Sequence, residues 1–173
     1  MAETKYGKYF ISEVESFILG PSLARLDDKV IKGCNFYFVH WVTRSTDSGG
    51  HGPHIHKDAE LLMHIGTNPD DPSDLGGEIE LYMGREMEKH VITKTTIVYI
   101  PPNFIHCPWI VKRVDRPFLF IEVNQGPLHT EKSFMQLLPK EERGKYLFID
   151  EGFESEERIE HWPEAYKELR GGA

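Results

Sequence analysis

From Phe36 to Val123 the chain is a series of short aromatic and β-branched runs, cut at close intervals by glycine, proline and asparagine. Phe36, Phe38 and His40 alternate with Tyr37, Val39 and Trp41, so both faces of the first run are rich in large side chains. That composition suits a strand buried on both sides, and Gly49 and Gly50 end it. Further strands are predicted at residues 55–65, 78–83, 90–93, 96–100, 105–111 and 117–123. The turn-formers between them are Gly66-Thr67-Asn68-Pro69-Asp70-Asp71-Pro72, Gly76-Gly77, Gly84, Pro101-Pro102-Asn103 and Gly126-Pro127. Strands this short and this closely spaced, with glycine and proline between them, form a sandwich or small barrel.

The expected architecture is one all-β domain spanning 1–173. Residues 1–33 form an N-terminal arm, residues 34–126 the β core and residues 127–173 a C-terminal extension. Helical spacing over 131–138 and 156–169, the second interrupted by Pro163, predicts a partly helical tail. The length is that of a single domain with a real core. The chain carries 20 Lys+Arg against 28 Asp+Glu, a formal charge of −8. A polyphosphate partner is repelled by that balance, so nucleic acid is excluded as a partner. Two cysteines, Cys34 and Cys107, are too few for a disulfide framework. The opening decapeptide has no apolar run of signal-peptide or membrane-spanning length, and the expectation is a cytoplasmic protein without membrane attachment.

Chemistry concentrates in Gly50-His51-Gly52-Pro53-His54-Ile55-His56-Lys57-Asp58-Ala59-Glu60. Residues two apart on a strand share a face, so His54 and His56 project together. A bend near Lys57 and Asp58 would bring the Glu60 carboxylate beside the two imidazoles. Downstream, Pro101-Pro102-Asn103-Phe104-Ile105-His106 reads as a tight turn opening a strand, with Asn103 the residue type that tolerates positive φ. A hairpin setting His106 opposite the first pair would complete a His3Glu set. Neutral imidazoles plus one carboxylate suit a first-row divalent ion. Because the imidazoles must be neutral to bind, protons compete below roughly pH 6.

These residues resemble the two motifs of the cupin superfamily, Gly-x5-His-x-His-x3,4-Glu-x6-Gly and Gly-x5-Pro-x-Gly-x2-His-x3-Asn. His54, His56 and Glu60 match the first at the family spacing, and Pro101 and His106 match the second. Ser48 stands where the leading glycine belongs, Gly66 comes one residue early, Asn103 replaces a glycine and Ile110 replaces the last asparagine. None of these positions is a ligand. The resemblance covers residues 36–124 and implies a double-stranded β-helix, or jelly-roll, barrel. It also implies a metal held by His54, His56, Glu60 and His106, with Fe(II) favoured and Mn(II), Ni(II) or Zn(II) as alternatives. Family activities include dioxygenase, isomerase and lyase chemistry on small molecules, and members pair as homodimers through N-terminal strands.

Around this set, His51, His64, Phe104, Glu122 and Asn124 are the candidates for contacting substrate. Glu122 and Asn124 share a face of the last barrel strand and could orient substrate or a ligand. Strand alternation sends Cys107, next to His106, away from the metal, and Trp109 with it. His40 is read as facing either the barrel interior or the core, and Tyr37 and Trp41 as pocket lining or core. Two functions fit: a metal-dependent enzyme acting on an oxygen-rich small molecule, and a non-catalytic module that binds a metal or small molecule.

Overall fold

The computed structural model describes residues 4–12, 14–17, 20–46, 50–154 and 157–163. Its strands are β1 (Glu15–Phe17), β2 (Gly20–Leu26), β3 (Phe36–Val42), β4 (His54–Ile55), β5 (Glu60–Ile65), β6 (Asp74–Met83), β7 (Glu88–Lys94), β8 (Thr96–Ile100), β9 (His106–Val114), β10 (Phe118–Asn124), β11 (Lys132–Ser133), β12 (Phe148–Asp150) and β13 (Ile159–His161). The 55–65 stretch is two strands, because the chain bends after His56 and resumes at Glu60. Within the arm, β2 joins the barrel by pairing with β3.

Two antiparallel sheets result, with orders β1-β2-β3-β10-β5-β8 and β11-β4-β9-β6-β7. Their inner faces share one apolar cluster. Val42, Leu62, Ile100, Phe118 and Phe120 come from the first sheet, and Ile79, Leu81, Ile92, Trp109 and Val111 from the second. This is a jelly-roll, in which each sheet buries one face against the other.

Register decides what points inward. Across β3, β10 and β5, Phe36, Asn124 and Glu60 lie on one rung, Phe38, Glu122 and Leu62 on the next, and His40, Phe120 and His64 on the third. Tyr37 and Trp41 therefore take the opposite phase, and neither lines the interior cavity. Gly66 ends β5 where any Cβ would stand 1.9 Å from the backbone oxygen of Asp74. Glycine at this position answers to a close crossing of backbones.

The tail differs from the expected helix. Residues 132–133 form β11 and residues 135–137 a single 3-10 turn, because the backbone pairs outward: Ser133 lies opposite His54, and the Phe134 N–H donates to the Pro53 carbonyl at 2.7 Å. A second 3-10 turn occupies Arg143–Lys145. Of the second predicted helix, residues 159–161 form β13, paired with β12. Its remaining positions, apart from 157, 158, 162 and 163, lie outside the described residues.

His64 is fully buried in the core, where its Nε2 accepts from the Trp109 indole N–H at 2.8 Å and ties the two sheets together. Burial pushes His64 and His40 down to about 4, from an ordinary 6.5. Between those values the unfolded chain binds more protons than the folded one. The stability these residues contribute is complete above about pH 6.5 and declines as pH falls toward 4. Replacing His64 by Leu strands the Trp109 donor, and urea unfolding at neutral pH should show a loss of about 1–3 kcal/mol. The same variant should lose less stability than the parent between neutral pH and pH 4 (equal losses would assign the acid sensitivity elsewhere).

Candidate metal centre

The short β4 strand lies beside β9 with His54 opposite His106. The turn before β9 uses Asn103 at φ 59°, and its N–H donates to the His56 carbonyl at 2.8 Å. Glu60, the first residue of β5, returns to the same point after the bend. The Nε2 atoms of His54 and His56 are 3.1 Å apart. Glu60 Oε1 is 3.3 Å from His56 Nε2, and Oε2 is 2.9 Å from His106 Nε2. His54, His56, Glu60 and His106, gathered from residues up to 52 positions apart in sequence, thus meet at one buried point.

The far ring nitrogens fix what these imidazoles offer. His54 Nδ1–H donates to the Gly52 carbonyl at 2.7 Å, His106 Nδ1–H to the Phe104 carbonyl at 3.2 Å, and His56 Nδ1–H to the Thr130 carbonyl. With Nδ1 committed to a carbonyl, Nε2 is the nitrogen each ring turns to the centre, free to bind a cation once it carries no proton. Lone pairs 3.1 Å apart repel unless a proton or a cation lies between them. Glu60 Oε2, in a side chain only 2% exposed, accepts no well-formed hydrogen bond. The donor chemistry therefore fits a divalent ion with nitrogen and oxygen ligands. Asn124, on the Glu60 rung, donates its Nδ2–H to Glu60 Oε1 at 2.8 Å and sets the carboxylate plane.

Electrostatics follow from the same packing. Burial alone would raise the Glu60 carboxyl, but His56 and His106 more than reverse it and hold it well below the usual range. Burial also opposes charge on His56, yet Glu60 overrides it and pushes His56 up to about 10. Burial keeps His54 neutral.

A cavity of about 110 Å³ opens beside this point. Phe38, Leu62, Trp109 and Phe120 form its apolar wall, and His40, His51, Glu122 and His129 its polar one. Burial, with help from the Glu60 charge, pushes Glu122 up to about 7. Of the substrate candidates, His51 and Glu122 line this cavity, and Asn124 sits behind Glu60. His64 is instead a core residue bonded to Trp109. Phe104 lies outside the cavity, 38% exposed, and serves through its carbonyl.

Cys107 and Trp109 also depart from simple alternation, since both line the cavity. Opposite β6 the register runs from Met83–His106 to Leu81–Trp109, so β9 carries one extra residue. The bulge, with Cys107 at φ 71°, turns the thiol inward.

Sequence reasoning missed Glu131 and His129. Glu131, fully buried, accepts from His51 Nδ1–H at 2.8 Å and lies 3.5 Å from His129 Nε2. His129 in turn approaches Glu151 at 3.5 Å, and Arg158 pairs with Glu151 at 2.8 Å. The tail thereby builds one side of the site. Two isolated bridges, His51 with Leu147 and Glu131 with Glu151, put these residues in place. The available signal was the acid and histidine content of 129–131, read there as the start of a helix.

Two facing antiparallel sheets, with the His-x-His strand and the second-motif histidine meeting across β4 and β9, settle the fold. It is a cupin-type double-stranded β-helix. No family model and no curated protein matches the chain. Solved structures similar to this barrel include the formate complex of oxalate decarboxylase from Lactobacillus farciminis. It is 16% identical over 72% of this chain and 34% of its own, with a TM-score of 0.45. An uncharacterized conserved protein with a double-stranded β-helix domain from Klebsiella pneumoniae is 13% identical over 76% of this chain and 89% of its own, TM-score 0.43. A sugar phosphate isomerase from a cupin superfamily, from Silicibacter pomeroyi, is 15% identical over 67% and 66%, TM-score 0.42. The chain spans about a third of the oxalate decarboxylase chains, 34% and 32%. Among the described residues no helix is long and apolar enough to cross a membrane.

Near neutral pH the metal-free site holds a proton on His56, so an entering ion must displace it. Calorimetry in buffers of different ionisation enthalpy should report about one proton released per ion, with affinity rising as pH rises. Zero release would remove His56 as a donor. Asn124→Leu should weaken metal binding roughly 10–100-fold while the protein stays folded, measured by competition with a chromophoric chelator.

Proposed function

We propose that this chain is a divalent-metal-dependent enzyme acting on an oxygen-rich small molecule such as a catechol, enediol or β-dicarbonyl compound. The reading rests on one observation above all: beside a cavity, His56 and His106 set Nε2 against the Glu60 carboxylate and His54 Nε2 lies 3.1 Å from His56 Nε2, each ring with its Nδ1 occupied by a backbone carbonyl. The proposed ligands are those four residues, and the proposed ion is Fe(II), with Mn(II), Ni(II) or Zn(II) as alternatives. Such an ion supplies stabilisation of negative charge on a substrate oxygen, which serves both dioxygenase-type and isomerase or lyase-type chemistry.

The protein's own groups have separable tasks in this reading. Phe38, Leu62, Trp109 and Phe120 exclude water from the bound molecule. Glu122, pushed up to about 7, can carry or release a proton near neutrality, the property required of a general acid–base group. His51 gives its Nδ1–H to Glu131, whose charge favours the protonated ring against burial, and as an imidazolium it can donate from Nε2 to a substrate oxygen. Among the described residues no Lys or Arg lines the cavity, so the reading favours a substrate without phosphate groups. A cytoplasmic homodimer belongs to the same reading.

Elemental analysis of the protein as isolated should find one divalent ion per chain, and His54→Ala or His106→Ala should abolish it. With metal restored, the three substrate classes should shift the visible spectrum of the bound ion, and at least one should be turned over. Turnover that stops without oxygen identifies a dioxygenase, and turnover that continues identifies an isomerase or lyase. Chelation of all three classes without product would favour the binding module. Retention of metal by both alanine variants would refute the ligand set.

A further inference from the structure

The geometry points to Cys107 as a fifth donor to the metal, making the resting centre His3GluCys. This inference rests on the four-ligand reading above and adds a residue that reading does not use. The bulge in β9 turns Cys107 off the regular alternation, and the thiol lines the cavity beside the centre. The ligand atoms of Cys107, His54 and His106 all lie within 4.8 Å of one another. The cysteine is not alone there. Glu60 Oε2, in a side chain 98% buried, faces the same His106 Nε2 at 2.9 Å with no well-formed hydrogen bond, and the ligand atoms of His56, Glu60 and His106 form a second set within 4.8 Å that shares His106. A non-glycine residue at φ 71° is uncommon, and here it directs a soft donor at a cluster of borderline ones.

Ligation needs no oxidant. The S–H bond breaks heterolytically, its proton leaves to solvent, and the sulfur electron pair forms the bond to the ion. With five protein donors, a six-coordinate ion would keep one position for a substrate oxygen. A thiolate also shifts the site's preference from hard ions such as Mn(II) toward softer ones such as Co(II) and Zn(II).

Cobalt(II) substitution tests this without any assay of activity. The full chain loaded with Co(II) should show d–d bands in the visible and a sulfur-to-cobalt charge-transfer band in the near ultraviolet. Cys107→Ser should keep the visible bands and lose the ultraviolet one, whereas Cys34→Ser should keep both. Cys107→Gly, which suits the positive φ, provides the same comparison should the serine variant fold poorly. Visible bands without a charge-transfer band in the parent, or a band that persists in both Cys107 variants, would overturn the fifth ligand and leave the four-ligand centre standing. Absence of cobalt bands altogether would overturn both.

Discussion

A carboxylate removed from water must be compensated, and Glu60 sets that demand for the whole barrel. Its side chain is 2% exposed and surrounded by imidazoles. An isolated ionised carboxylate in such a place would cost several kcal/mol. Two things offset this: positive charge near its oxygens, and the Asn124 amide that donates to Oε1. The register of β5 with β10 is therefore more than an apolar match. Slipping it by one residue would carry Glu60 to the other face and replace Asn124 as its neighbour. The rungs above, Phe38 with Glu122 and Leu62, then His40 with Phe120 and His64, contribute Phe38, Glu122, Leu62, His40 and Phe120 to the cavity lining and define where a small molecule can lie.

A second buried carboxylate organises the side that the barrel leaves open. Glu131 is held well below the usual carboxylate range: burial opposes this, but His51 and His54 outweigh it. It draws His51 into place from the loop before β4, while backbone bonds between Gly50, Gly52 and Leu147 fasten the tail to that loop. Gly52 is where the contact is closest, since a Cβ there would stand 2.2 Å from Phe148 Cε1. The C-terminal extension is thus structural to the site, and the two acids divide the work. Glu60 faces the centre, and Glu131 faces the groups that approach it.

What could be read from the sequence is what depends on short range. Strand positions followed from composition and turn residues. The ligand spacing followed from the two-residue period and one bend, and Asn103 followed from its tolerance of positive φ. What could not be read depends on pairing between distant segments. Helical spacing over 131–138 was real, but backbone partners at Pro53 and His54 outbid it. The inner face of β3 was ambiguous, because both of its faces carry large side chains, until the ladder with β10 put Phe38 and His40 inside. His64 has the same inward phase as Glu60, as the period predicts, yet it lies beyond the cavity because Trp109 and Phe120 fill the space between.

The irregular positions carry the chemistry. Over β5, β8 and β10 the ladder runs without a shift in register, and those strands hold packing residues and the rungs. Three departures meet at the centre: the break between β4 and β5 that returns Glu60 to His56, the left-handed Asn103 that launches β9, and the extra residue that turns Cys107 inward; the other register shifts, in β2, β6 and the far end of β9, lie away from it. Each of the three is a local cost that a regular sheet would avoid, and each brings a side chain, Glu60, His106 or Cys107, to the same buried corner of the cavity. Keeping the bulge beside His106 is the pattern expected where backbone geometry has been shaped by the site it serves.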